Sequence, residues 1–162
     1  MNDERFVKTD RLRYTKNTAS SRLAILAILF DVLYFVSIYK SDVGTWYYNI
    51  QIGASILYNL VFMLLAFLAS EGVKRYKPAF SWLLIVLGVI QAARIFILPM
   101  SAHQAEIELQ GQTVKAMEDP QFIRCIIYLA ASAACCLASA AVNFRKCSML
   151  KAHPAAAGQA PA

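Results

Sequence analysis

Any chemistry in this chain has to come from a few polar side chains set in apolar surroundings: Asp31, Asn59, Gln91 and Arg94. Asp31 lies inside "RLAILAILFDVLYFVSIYK", residues 22 to 40. A carboxylate held in such a stretch can bind a proton or a cation, or pair with a basic side chain. Gln91 and Arg94 are three residues apart and share one helix face, as do Ser55 and Asn59, with Gln51 one turn further. Asp31 and Tyr34 share another face.

Depth decides which of these residues can meet. At about 1.5 Å of rise per residue from the inner boundary, Asp31 lies about 12 Å deep, Asn59 and Gln91 about 16 Å, and Arg94 about 21 Å. In a hydrocarbon core about 30 Å thick, the first three fall near one central layer. Asn59 and Gln91 suit interhelical hydrogen bonds worth about 0.6–2 kcal/mol each. Arg94 is six residues from the outer end of its span, so snorkelling to the head groups and pairing inside the bundle are equally open. Asp31 is too short to snorkel, and a charge at mid-span costs about 2.5–3.5 kcal/mol even on the lenient insertion scale. It is expected to face the interior and pair with Arg94, with Gln91 and Asn59 completing a polar centre. The offset of six residues, about 9 Å of rise, is within reach of a bent arginine and a tilted helix.

The remaining reactive side chains point to nothing further. Cys135 and Cys136 are adjacent in mid-span, Cys125 lies near one end and Cys147 just beyond the other, without the spacing of a metal or redox site. They suit packing as small apolar residues. Juxtamembrane Cys147 is a weak acylation signal, and a free thiol is the preferred reading. His103 and His153 have no sequence partner at catalytic or metal spacing, and there is no phosphate loop or nucleophile motif. No enzyme activity, metal or cofactor is expected.

The elements that must position these residues are long apolar helices. Of the 162 residues 59% are hydrophobic and 16% charged, against about 45–50% and about 25% in soluble domains. The excess sits in four blocks, at about 23–39, 48–70, 80–100 and 123–144, and a span needs about 20 mostly apolar residues. The fold expected is an all-α integral membrane protein: a four-transmembrane-helix bundle over residues 23–144, with a basic cytoplasmic arm at 1–22 and a disordered cytoplasmic tail at 145–162. The first block is short, but no small-residue cleavage site follows it, so an uncleaved span is expected.

Basic residues set the orientation. Arg5, Lys8, Arg11, Arg13, Lys16 and Arg22 precede the first span, Lys74, Arg75 and Lys77 follow the second, and Arg145, Lys146 and Lys151 follow the fourth. Lys40, Lys115 and Arg124 lie on the other side. Short basic loops stay cytoplasmic, so both termini are expected inside, in the plasma membrane. The net charge of +6 then reflects topology and contact with the lipid bilayer, with no nucleic acid needed.

Loop chemistry adds detail. Trp46, Tyr47 and Tyr48 suit an outer aromatic belt, Tyr76 and Trp82 an inner one. Gly72 is expected to end the second helix and Pro78 to open the third. Asp119 and Pro120 read as cap and first residue of the fourth. The outer loop, 101–122, alternates polar and apolar residues around Gly111, which permits a small hairpin. The fourth span, "AASAACCLASAAV", is small on every face, which lets helix backbones approach closely; a central place in the bundle and a generic Ala-rich span without a special partner are equally open.

Two functions follow. One is an interaction or assembly subunit that associates with itself, as a homo-oligomer, or with another membrane protein. The other is a small oligomeric proton- or cation-coupled transporter using Asp31. A carboxylate in the first of four spans resembles the arrangement of the small multidrug resistance transporters, a likeness of architecture that includes no motif. The one-sided charge bias and Arg94, which would compete with a cationic substrate, favour assembly.

Overall fold

The computed structural model describes residues 15–38, 50–104, 106–109, 112–115 and 117–157, with backbone alone at 50–52, 107–109, 112, 114 and 151–157. Four helices carry the fold: α1 (Thr18–Ile38), α2 (Ile50–Lys74), α3 (Pro78–Gln104) and α4 (Asp119–Ala157). Each has a stretch long and apolar enough to cross a membrane, as in an integral, multi-pass helical bundle. Between α3 and α4, β1 (Glu106–Leu109) pairs antiparallel with β2 (Gln112–Lys115), in the loop where alternation and Gly111 permit a hairpin. The expected outer aromatic belt at Trp46, Tyr47 and Tyr48 and most of the basic arm lie outside the described residues.

The helices form a ring in which α4 packs against α1 and α3, and α2 closes the opposite side. The seam that holds them follows a heptad spacing. On α1 the buried positions include Ser20, Ala24, Ala27, Asp31, Tyr34 and Ile38, with Ser21 beside them; on α2 they include Ser55, Asn59, Phe62, Ala66, Ala69 and Val73. Steps of four and three residues are those of helices packed at a shallow crossing angle. The outward faces carry large apolar groups such as Leu29, Leu57, Leu64, Phe67, Val89 and Phe96. Within lipid that distribution is the stable one, because hydrocarbon solvates leucine and leaves small and polar residues to mediate helix contact.

Element boundaries depart from the expected ones: α3 runs past residue 100 to Gln104, into the expected outer loop, and four further departures each have a local reason. First, α1 begins at Thr18, not 23, because Asn17 caps it: the Ser20 amide donates to Asn17 Oδ1 at 3.4 Å. Asn17, Ser20 and Ser21 are buried, so the last part of the expected solvated arm is packed structure. Second, Gly72 does not end α2. The Lys77 amide bonds to Gly72 O at 3.4 Å and the Tyr76 amide to Val73 O at 3.1 Å, with Tyr76 in the left-handed region at φ 55°. That is a Schellman end with tyrosine where glycine is usual. Gly72 serves closeness instead: a Cβ there would lie 2.2 Å from the Phe80 ring. Third, Asp119 falls within the first turn of α4, since the Phe122 amide already bonds to Glu118 O at 3.0 Å; Pro120 therefore sits at the second helical position.

The fourth departure is the tail. Residues 145–157, expected to be disordered, continue α4 to Ala157. The run "RKCSMLKA" is mostly good helix formers, and its first turn docks. Cys147 is buried with its Sγ donating to Tyr76 O at 3.1 Å, and Lys146 Nζ donates to Asn17 Oδ1 at 2.8 Å.

Candidate functional site

The heptad seams bring the four mid-span polar residues into one cluster. Gln91 Nε2 donates to Asp31 Oδ1 at 2.7 Å, and Arg94 Nη1 reaches the same oxygen at 3.3 Å. Arg94 Nη1 also donates to Asn59 Oδ1 at 2.8 Å. All four residues are at most 5% exposed. Arg94 therefore turns inward rather than snorkelling, and its long side chain spans the depth offset that separates it from Asp31. Gln91, not Arg94, is the closest donor to the carboxylate, and Arg94 is nearer to Asn59 than to Asp31.

Three further residues complete it, of which spacing in the sequence places only Tyr34 on a face with Asp31. The Arg94 guanidinium lies between two tyrosine rings, 4.7 Å from the Tyr34 centroid and 4.4 Å from that of Tyr58. Ring faces stabilise a cation where water is absent. Ser132, on α4, donates to Ala27 O at 2.9 Å and lies 3.4 Å from Gln91 Nε2. All four helices thus contribute a polar side chain. The signal that could have found Ser132 is its place on the small-and-polar seam. Ser55 lies on the same face of α2 as Asn59 and is buried near Tyr58; the Gln51 side chain is outside the described ones.

The arrangement holds a carboxylate inside the bundle with a cation and a neutral amide as donors. Among the described residues, Oδ2 of Asp31, Nδ2 of Asn59 and Nη2 of Arg94 are buried without a hydrogen-bond partner. Two apolar clefts flank α2 at this level. One, of about 300 Å³, is lined by Asp31, Val32, Phe35, Ile56, Asn59, Leu60 and Met63 between α1 and α2. The other, of about 340 Å³ between α2 and α3, has Ser55, Tyr58 and Arg94 among its walls.

A second polar layer, not anticipated from the sequence, ties the ends of the helices nearest the chain termini. Asn17 Nδ2 donates to Asn143 Oδ1 at 3.0 Å, and Asn143 Nδ2 donates to Ser81 Oγ at 2.7 Å. Ser20 and Ser139 donate to each other's carbonyl oxygens at 2.7 Å, and the Ser21 and Ser70 hydroxyls lie 2.7 Å apart. At the hairpin end, Gln121 Nε2 donates to Ser37 O at 2.8 Å. His103, without a partner in the sequence, stacks on Phe122 at 4.3 Å and lies 3.8 Å from Asp119 Oδ1. No group of three or more His, Cys, Asp or Glu with metal-site geometry occurs among the described residues.

Comparison of the chain with protein-family models, curated proteins and solved structures gives no match.

Proposed function

We propose that the protein is a small multi-pass membrane subunit that acts by assembly, through its helices, with a second copy or with another membrane protein. The observation that carries this reading is the outward face of α4. Its middle exposes Ala130, Ala134, Ala138 and Ala141 beside Ile127 and Leu137, whereas the exposed positions of α1, α2 and α3 are mainly Leu, Val, Ile, Phe and Trp, with small residues only at Gly53, Ala54, Ala92 and Ala93 in their spanning parts. A stripe of alanines lets a second helix backbone approach closely, and close packing is what drives association in lipid. The polar layers support the same reading: they hold the helices of one chain in register, so the outward face is preorganised for a partner. In this reading both termini are cytoplasmic and the hairpin lies outside.

The test uses protein with its four native cysteines replaced and one cysteine returned at Ala134, Ala138 or Leu64. Oxidation in native membranes should link the α4 positions to a second copy or to another protein, with Leu64 on α2 unreacted. Purification in mild detergent should retain the partner. A monomer without a partner and without α4 cross-links overturns the proposal.

The unpartnered Oδ2 of Asp31 favours a second reading, a small proton- or cation-coupled transporter using Asp31. Asp31-dependent proton or solute flux into liposomes would support it. Arg94, 3.3 Å from Asp31 Oδ1, weighs against it because a transported cation would have to displace or outcompete the guanidinium.

A further inference from the structure

The end of the bundle where α1 begins gathers basic side chains from three separate parts of the sequence. Lys16 precedes α1, Lys74, Arg75 and Lys77 lie at the turn between α2 and α3, and Arg145 and Lys146 lie on α4. One junction draws them together. The Asn17 amide donates to Lys74 O at 3.1 Å, and Asn17 Oδ1 accepts from Lys146 Nζ at 2.8 Å. Asn143, bonded to Asn17, also donates to Lys77 O at 3.3 Å, and Tyr76 Oη donates to Thr15 O at 2.9 Å. Each of the six cations is therefore at, or next in sequence to, a residue bonded in this junction.

Little negative charge opposes them. Glu71 is the one acid among the described residues of this end, and it is already paired with Lys74. Lys16, Arg75, Lys77 and Arg145 are exposed and make no ion pair among the described residues. Topology alone asks for basic residues beside the spans, each acting by itself, and does not ask them to converge. Just within this end, Trp82 on α3 is 63% exposed and meets Phe144 of α4 edge-on at 5.6 Å. A lipid-facing tryptophan one turn from Pro78 marks the level of the head groups, so the neighbouring cations lie among phosphates.

We propose that this basic junction binds the head group of a phospholipid carrying more than one phosphate, with its acyl chains along the Trp82 and Phe144 side of α3 and α4. Such a head group engages cations of different segments at once, whereas a lipid with one phosphate engages fewer. Basic clusters beside spanning helices suit head groups of this kind, and each Lys or Arg adds to the attraction. Arg75 and Arg145 supply planar forks that match phosphate oxygens. A soluble polyphosphate meets the same cations without the apolar contact at Trp82 and Phe144.

The probe is cardiolipin, with two phosphates joined by glycerol, against phosphatidylglycerol at equal total phosphate. The full-length protein is placed in nanodiscs of each mixture with phosphatidylcholine, released into mild detergent, and its bound lipid counted by native mass spectrometry. Cardiolipin should be retained about tenfold more than phosphatidylglycerol. Arg75→Gln with Lys77→Gln should bring the ratio close to unity, as should Lys16→Gln with Arg145→Gln. Lys115→Gln with Arg124→Gln, at the hairpin end, should leave it unchanged. Equal retention in the unaltered protein overturns the proposal and leaves topology as the whole meaning of these basic residues. A preference that survives both depleted variants comes from the extra acyl chains of cardiolipin and overturns it too. So does competition by glycerol bisphosphate without acyl chains as effective as that by cardiolipin, which would assign the site to a soluble phosphate. A preference seen only after residues 2–14 are removed would make that segment the occupant, and the proposal would fall. If the depleted variants do not fold, added salt on the unaltered protein decides: screening should lower the ratio, and a ratio indifferent to salt overturns the proposal. One chain suffices for the measurement, so its outcome is separate from that of the assembly test.

Discussion

Asp31 is stabilised less by one ion pair than by a fork of two donors on a single oxygen. Its bond from Gln91 is 2.7 Å, against 3.3 Å from Arg94. Hydrogen bonds to a charged group contribute about 1.5–3 kcal/mol, whereas neutral interhelical bonds in membranes average about 0.6 kcal/mol. Gln91→Leu should therefore destabilise more than Ser21→Ala, which removes a neutral hydroxyl pair at another level of the bundle. Unfolding in mixed micelles would rank them, and equal losses would mean that Asp31 is not held as a charge. Asp31→Asn or Arg94→Gln alone leaves one buried charge uncompensated, a loss of about 3–5 kcal/mol in comparable buried pairs. The double mutant Asp31→Asn/Arg94→Gln should lose less than the sum of the two. Strict additivity in that cycle would show the two residues uncoupled. Of this cluster, the four residues were legible as polar groups within the spans, three of them near one depth and Arg94 offset from Asp31 by about 9 Å of rise. The choice of Gln91 as nearest donor, and the two tyrosine rings around Arg94, were not, because both depend on helix rotation.

At the scale of elements, the turn between α2 and α3 depends on a missing side chain. Phe80 occupies the space a Cβ on Gly72 would need, at 2.2 Å. Gly72→Ala improves helix propensity by about 1 kcal/mol, yet overpacking costs typically 1–3 kcal/mol, and a contact this short puts the balance on the destabilising side. Thermal unfolding in detergent should show a lowered midpoint for Gly72→Ala. Adding Phe80→Ala should recover much of the loss caused by Gly72→Ala. A rise in midpoint for the single variant would show that the Phe80 ring moves aside at little cost. Sequence could suggest only that Gly72 stood near a helix end; the close neighbour is set by how α3 folds back.

For the whole molecule, the junction of the chain's two end regions is a structural element of its own. Lys146 to Asn17, Asn17 to Asn143 and Cys147 to Tyr76 tie the far part of α4 to the start of α1 and to the α2–α3 turn. Truncation after Leu150 should leave folding intact, while truncation after Phe144 should lower the unfolding midpoint by removing two of these bonds. Equal stability of the two truncations would show that the junction contributes nothing. The proposed orientation, with both termini inside, rests on the bias in the sequence, twelve basic residues flanking the inner ends of the expected spans against three flanking the outer ends. In a background without native cysteines, a cysteine at Lys16 should react only from the cytoplasm and one at Gln110 only from outside. The reverse pattern would overturn the topology.

By itself the sequence determined the spans, because about 20 apolar residues in a row have one stable environment and leave few alternatives. It also marked the polar residues that must turn inward, since lipid does not solvate them. Tertiary structure decided which of them meet. In lipid both faces of a helix are apolar, so hydrophobic periodicity, the usual guide to which face turns inward, is weak. The seam is written instead in small and polar residues four and three apart, as at Ser20, Ala24, Ala27 and Asp31. Only docking of the four helices put Gln91 on Asp31, Arg94 on Asn59 and a cleft beside both. Docking likewise turned Arg145 to Leu150 from an expected tail into the continuation of α4, since its partners, Asn17 and Tyr76, lie far away along the chain.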